Sequence, residues 1–171
     1  MTTIEKLNSL DDFRLLRFYE HISNKLLQVA NTDAATLMGK MPAEMVNTLE
    51  MQAIQDAGKA SFEKALDSKT AVTFARKSLV TLAAEPAIQA FIDDELTTYK
   101  DSGMVAETIL AIGGAISLVM LVANSEISYD KQNGLRIGMG TIKDKDQVQA
   151  RTEMLQTLLN VIPNLRKLLE G

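Results

Sequence analysis

The chain has 171 residues, of which 46% are apolar, 23% are charged and only 5% are aromatic, and its formal net charge is −4 at pH 7. This apolar content excludes a disordered chain, and the length suffices for one buried core. The absence of cysteine excludes a disulfide framework, a thiol nucleophile and a zinc ribbon, and an acidic chain without a Lys/Arg cluster longer than a pair is not expected to bind nucleic acid.

Helical periodicity with recognisable start and stop residues characterises the chain up to about residue 100. Ser9 is expected to cap the first long helix, since serine is a favoured N-cap and acidic residues follow it. The sequence Asn31-Thr32-Asp33 is expected to end this helix and to cap a short one over 34–39. Further helices are predicted from Pro42 to about Ala57 before Gly58, over 60–66, over 70–84, and from Pro86 to about Tyr99.

The character of the sequence changes after Asp101-Ser102-Gly103, which indicates a break. Residues 104–123 are apolar on all sides of a helix. Apolar and polar residues then alternate on both sides of Asn133-Gly134, a dipeptide typical of tight turns, so a β-hairpin that pairs about 126–131 with 135–142 is predicted. A last helix is predicted over 147–169, interrupted by Pro163.

These elements predict a mainly α fold, a multi-helix array with a small β-hairpin (about 126–142) between the last two long helices. We expect an N-terminal helical region over 1–103 and a helix–β-hairpin–helix unit over 104–171, packed together as one domain. Helix 104–123 is expected to be the central core helix, with Gly113 and Gly114 allowing a neighbour to approach closely. The alternative is a membrane segment, since its length approaches the roughly 20 residues that span a bilayer.

The residues that carry catalysis or bind metals in other proteins form no recognisable constellation in this sequence. His21, the only histidine, has no Glu or His at the helical spacings of metal sites, and Asp93-Asp94-Glu95 is interpreted as a solvated helix face with diverging carboxylates. Gly134, Gly138 and Gly140 lack the spacing of a phosphate loop and are interpreted as turn glycines. The sequence therefore predicts a protein that is not an enzyme, with no metal and no cofactor.

Two apolar segments remain as candidate protein-binding surfaces. One contains three methionines at helical spacing, and flexible methionine side chains are over-used on adaptable binding surfaces, although they also fill gaps in aliphatic cores. The other is an apolar seam along the last helix, which suits self-association. The candidate protein-binding residues are Met38, Met41, Met45, Leu49, Leu158 and Leu165.

The functional hypothesis is a non-catalytic protein–protein interaction, adaptor or regulatory protein that acts through helical surfaces. Its partner would be another protein or a second copy of the chain in a homo-oligomer. The alternative hypothesis is a membrane-active effector or small membrane protein that uses helix 104–123. A cytoplasmic location is expected, because the chain has no cysteine and its acidic N-terminal segment does not resemble a signal peptide.

Overall fold

The computed structural model describes residues 1–57, 62–100, 110–140, 142–163 and 165–170. As the sequence predicts, these residues form a mainly α fold, of which 69% is helical, with an antiparallel β-hairpin before the last two helices. The ten helices of the described ranges are α1 (Thr3–Ser9), α2 (Asp12–Ala30), α3 (Ala34–Lys40), α4 (Ala43–Val46), α5 (Leu49–Ala57), α6 (Ser68–Leu82), α7 (Pro86–Thr98), α8 (Ile112–Ala123), α9 (Lys145–Leu159) and α10 (Leu165–Glu170). The hairpin consists of β1 (Ser125–Asp130) and β2 (Gly134–Met139), between α8 and α9.

The N-terminal segment contains a helix, α1, that the periodicity does not predict. It begins with a capping box, in which the Thr2 side chain accepts a hydrogen bond from the Glu5 backbone N–H and the Glu5 carboxylate accepts one from the Thr2 N–H. The expected N-cap at Ser9 is wrong, because Ser9 is the last residue of α1. Asp11 caps α2 instead, accepting a hydrogen bond from the Arg14 backbone N–H at 2.8 Å.

A tertiary contact explains why the chain forms two helices here. The Arg76 guanidinium on α6 donates hydrogen bonds to the carbonyl oxygens of Leu7, at 3.0 Å, and Leu10, at 3.1 Å. These carbonyls belong to the end of α1, where helical donors run out, and the Leu7 carbonyl has only the Leu10 backbone N–H at 3.3 Å besides Arg76 among the described residues. Leu10, one of the two residues between α1 and α2, is therefore held by a side chain 66 positions away in the sequence.

Several predicted boundaries are confirmed. Asn31 ends α2 in the left-handed conformation, with φ of 52°, and Asp33 caps α3 through the Thr36 backbone N–H. Helices α6 and α7 lie within two residues of the predicted ranges, and Pro86 occupies the first turn of α7. Pro163 lies between α9 and α10, as predicted for the interruption of the last helix.

The predicted helix from Pro42 to about residue 57 is two helices, α4 and α5. Thr48 separates them, because its hydroxyl donates a hydrogen bond to the Met45 carbonyl at 3.0 Å and accepts one from the Met51 backbone N–H at 3.3 Å. A threonine side chain that competes with backbone partners in this way favours a helix start over a helix interior. The predicted stop at Gly58 lies outside the described residues.

The predicted helix over 60–66 is wrong in its second half, and residues 58–61 lie outside the described residues. Ala65 forms an isolated antiparallel bridge with Ala111, and the Leu66 N–H donates to the Leu110 carbonyl at 2.9 Å. This part of the chain is extended because its backbone groups pair with the segment that leads into α8. The periodicity alone does not reveal such a partner.

Helix α8 is the core helix that the sequence predicts. All of its residues except the two glycines are buried, and it contacts α2, α3, α6 and α9. Residues 104–109 of the predicted helix lie outside the described residues. The prediction is wrong for Leu110 and Ala111, which pair with Leu66 and Ala65 and precede the helix. Among the described residues, no helix combines the length and the apolarity needed to cross a membrane. Buried apolar side chains from both predicted regions form one cluster, while the division at residue 103 stays a prediction.

Replacing Gly113 with alanine is expected to lower the free energy of unfolding by about 1 kcal/mol. The added Cβ would lie 3.0 Å from the Phe62 Cβ and 3.1 Å from the Phe62 carbonyl oxygen, so the Phe62 backbone must shift. Gly114→Ala is the matched control, since its Cβ would meet Leu110 Cδ1 at an ordinary 3.6 Å and alanine favours the helix. Urea denaturation of both variants tests whether Phe62 approaches Gly113 closely. Equal changes in the free energy of unfolding at positions 113 and 114 would contradict this close approach.

The hairpin confirms the prediction for 126–142, with a different turn. The register runs from Ser125 opposite Met139 to Asp130 opposite Gly134, so the loop contains residues 131–133. Gly134 adopts the left-handed conformation, with φ of 73°, as is common after three-residue loops. The sheet packs against α2 and α7, which support a hairpin that is only marginally stable alone.

Candidate functional site

An apolar groove of about 310 Å³ lies between α5 and the turn that joins α9 to α10. Its apolar lining residues are Leu49, Ala53, Leu159, Ile162, Pro163 and Leu165. Leu159, Ile162 and Leu165 belong to the buried core and form its base, whereas Leu49 and Pro163 are exposed and form its rim. The groove is therefore an opening onto the core of the protein.

Local sequence features place both walls of the groove. Thr48 begins α5, so Leu49 is the first helical residue and its side chain is 67% exposed. Pro163 prevents α9 from continuing, and the chain turns back so that α10 packs against α5. Two helix boundaries that lie more than 100 residues apart in the sequence thus form the two sides of one site.

Of the described residues that line the groove, Glu50 alone is charged. Its Oε2 atom is buried and, among the described residues, receives no hydrogen bond. Glu50 lies in the first turn of α5, where the helix dipole favours a negative charge. The dipole offsets part of the cost of burial, but it does not supply the missing donor.

The six sequence-predicted binding residues divide between the core and the groove. Met41, Met45 and Leu158 are at most 8% exposed and lie in the core cluster, and Met38 is half-buried against it. The alternative interpretation of the methionines, gap-filling in an aliphatic core, fits these positions. Leu49 and Leu165 instead line the same groove, although they come from the two different segments.

A polar cluster joins α2 to α7. It consists of His21, Lys25, Glu95 and Tyr99, and we call it the Glu95 cluster. Glu95 Oε2 lies 2.7 Å from His21 Nε2, and Glu95 Oε1 accepts a hydrogen bond from Lys25 Nζ, also at 2.7 Å. The Tyr99 ring lies 4.6 Å from the His21 ring, measured between centroids. Glu95 is only 8% exposed, so the interpretation of the acidic run as a solvated face is wrong for this residue. Asp93 and Asp94 face other cations, Lys6 and Lys131.

The contacts of the Glu95 cluster shift the pKa of Glu95 itself. Burial by itself raises the pKa of Glu95, but hydrogen bonds from Lys25 and His21 outweigh it and hold the pKa below its usual value. Nearby, the hydrogen bond that the Tyr129 hydroxyl donates to Asp94, together with burial, raises the pKa of Tyr129 to about 12. Glu95 is therefore an ionised carboxylate at neutral pH, and it links α2 to α7.

Sequence reasoning misses the partner of His21 because Glu95 is 74 positions away. Within the described ranges, no group of three His, Asp or Glu side chains lies close enough to hold a metal ion. The arrangement at His21 supports a structural ion-pair network, which is a common source of shifted pKa values away from catalytic sites.

Comparison of the chain with family models, with curated proteins and with solved structures finds no match.

Proposed function

We propose that this chain is a non-catalytic interaction protein, an adaptor or regulator that receives an apolar segment of a partner protein in the groove between α5 and α10. The observation that carries the proposal is the position of Leu49, a large apolar side chain that is 67% exposed at the rim of an apolar groove. Burying a leucine side chain contributes about 1.5–3 kcal/mol, so Leu49 favours association with another apolar surface.

The shape of the groove also supports a protein partner. It is open on one side and is lined by aliphatic side chains from α5, α9, α10 and the turn between the last two, which suits the apolar face of a helix or an extended segment. A few residues supply most of the binding energy at protein interfaces. We place this interaction in the cytoplasm, a proposal that the cysteine-free sequence supports.

Site-specific photo-crosslinking tests the proposal. A photoreactive phenylalanine analogue at position 49 is expected to crosslink to a distinct partner protein in the cells that produce the chain. The matched control carries the same analogue in place of Val29, an apolar residue on α2 that is 49% exposed and does not line the groove. The partner is expected from position 49 and not from position 29.

Three outcomes of the crosslinking experiment contradict the proposal in different ways. Crosslinks between two copies of the chain would identify the groove as a homo-oligomer interface. Crosslinks to lipid would favour the membrane alternative. Identical products from positions 49 and 29, or none from either, would show that Leu49 marks no binding surface.

A further inference from the structure

The loop of the β-hairpin leads into the dipeptide Asn133-Gly134, and Asn133 is the only asparagine of the sequence that a glycine follows. All three loop residues, 131–133, are exposed. A Cβ atom built on Gly134 would meet no described heavy atom within 4 Å, so the space beside this residue is open. Because glycine has no Cβ, its backbone nitrogen is also the least hindered one. The Asn133 side chain therefore lies in the accessible setting in which an asparagine amide reacts with the next backbone nitrogen.

We propose that Asn133 is a site of spontaneous deamidation, a modification that goes beyond the proposed function. The Gly134 backbone nitrogen, after losing its proton to hydroxide, attacks Cγ of Asn133. A bond forms between these two atoms, the bond from Cγ to Nδ2 breaks, and Nδ2 leaves as ammonia after taking a proton from water. The succinimide ring that results then adds one water molecule at either of its two carbonyl carbons. One ring opening gives aspartate, and the other gives isoaspartate, in which the main chain runs through the former side-chain carbonyl.

Asn133 also holds the loop to Asp130. Its backbone N–H donates a hydrogen bond to Asp130 Oδ1 at 2.6 Å, and its Nδ2 donates one to Asp130 Oδ2 at 3.2 Å. Both hydrogen bonds lower the pKa of Asp130, the one from the backbone more strongly. Deamidation replaces the Nδ2 donor with a second carboxylate beside Asp130, so that repulsion takes the place of a hydrogen bond. The isoaspartate product also lengthens the main chain before Gly134 and shifts this residue from its register opposite Asp130.

The loop adjoins contacts by which the hairpin packs against α7. The Tyr129 ring lies 5.7 Å from the Phe91 ring, measured between centroids, and Lys131 Nζ lies 3.9 Å from Asp94 Oδ1. A two-stranded hairpin is only marginally stable without such support. Deamidation of Asn133 therefore loosens the hairpin from its loop end.

Incubation of the wild-type chain in mildly alkaline buffer tests the site. Peptide mapping by mass spectrometry is expected to find aspartate and isoaspartate at Asn133 before any conversion at Asn24, an exposed asparagine within α2 that Lys25 follows. Isoelectric focusing is expected to show conversion to a form with one more negative charge, faster at higher pH because the attacking nitrogen is deprotonated. Asn133→Gln is the matched variant, since it keeps the amide but must close a larger ring, and it is expected to lose this early acidic form.

Hydrogen exchange measures the effect on the hairpin. Backbone amides of β1 and β2 are expected to exchange about tenfold faster in Asn133→Asp than in the wild type, as expected for loss of one hydrogen bond to a charged group. The amides of α9 are expected to exchange at an unchanged rate and serve as the reference within the same molecule. The acidic form separated from incubated wild-type protein provides the same measurement without any substitution.

Each part of the inference has an outcome that overturns it. An unchanged Asn133 after incubation, conversion at Asn133 and Asn24 at the same rate, or an early acidic form that persists in Asn133→Gln would overturn the assignment of the site. Unchanged exchange of the β1 and β2 amides, both in Asn133→Asp and in the acidic form of the wild type, would overturn the loosening of the hairpin.

Discussion

Replacing Leu158 with alanine is expected to lower the free energy of unfolding by about 3 kcal/mol, a cost typical of a cavity left by a buried leucine. Leu158 is 1% exposed, and its helix α9 packs against the core helix α8 and against α4. Leu49→Ala is the matched control, because Leu49 is 67% exposed and leaves no cavity when it is shortened. Its free energy of unfolding is expected to stay within about 0.5 kcal/mol of the wild type.

Urea denaturation followed by circular dichroism measures both values. The pair of variants compares two leucines that the sequence assigns to protein binding, of which one is buried and the other is exposed. Leu158 is expected to act through stability alone, whereas Leu49→Ala is expected to weaken binding of the partner protein with the fold intact. A stable Leu158→Ala variant with reduced oligomeric mass would contradict this assignment and would restore the interpretation of the C-terminal seam as a self-association surface.

Replacing Glu95 with glutamine is expected to lower the free energy of unfolding by about 2 kcal/mol at pH 7. The neutral amide removes the charge that accepts hydrogen bonds from His21 and Lys25, and it leaves these two donors without their anionic partner. The exposed residue Glu20 on α2 provides a matched Glu→Gln control with a small expected effect.

The Glu95 contribution depends on pH in a direction that the lowered pKa fixes. Because the folded-state pKa lies below the usual value of about 4.3, the contribution is fully present above that value. It is lost as the pH falls through the lower pKa of the folded state. Thermal melts between pH 3 and pH 7 are therefore expected to show the largest gap between wild type and Glu95→Gln near neutrality and a smaller gap at the acid end. A gap that is constant over this range would exclude the ionised carboxylate as its cause.

The sequence by itself determines the elements whose signals are local. Asn31 ends α2, Pro86 begins α7, Pro163 interrupts the last helix, and the alternating segment around Gly134 forms the hairpin. Each of these features depends on backbone conformation or on a hydrogen bond a few residues away, so the residue types are enough to predict it. The capping box at Thr2 is a local signal of the same kind, which periodicity alone does not use.

Only the tertiary structure decides which of two equivalent residues is buried and which is exposed. Met45 and Leu49 both lie in an apolar stretch, but α4 packs on α9 and buries the first, while Thr48 starts a new helix and leaves the second at the rim of the groove. The Glu95 cluster and the groove itself join residues that are 70 or more positions apart. The physical reason is that burial and ion pairing depend on which helix surfaces meet. Helical periodicity predicts the apolar face of a helix, but it does not predict which other helix packs against that face.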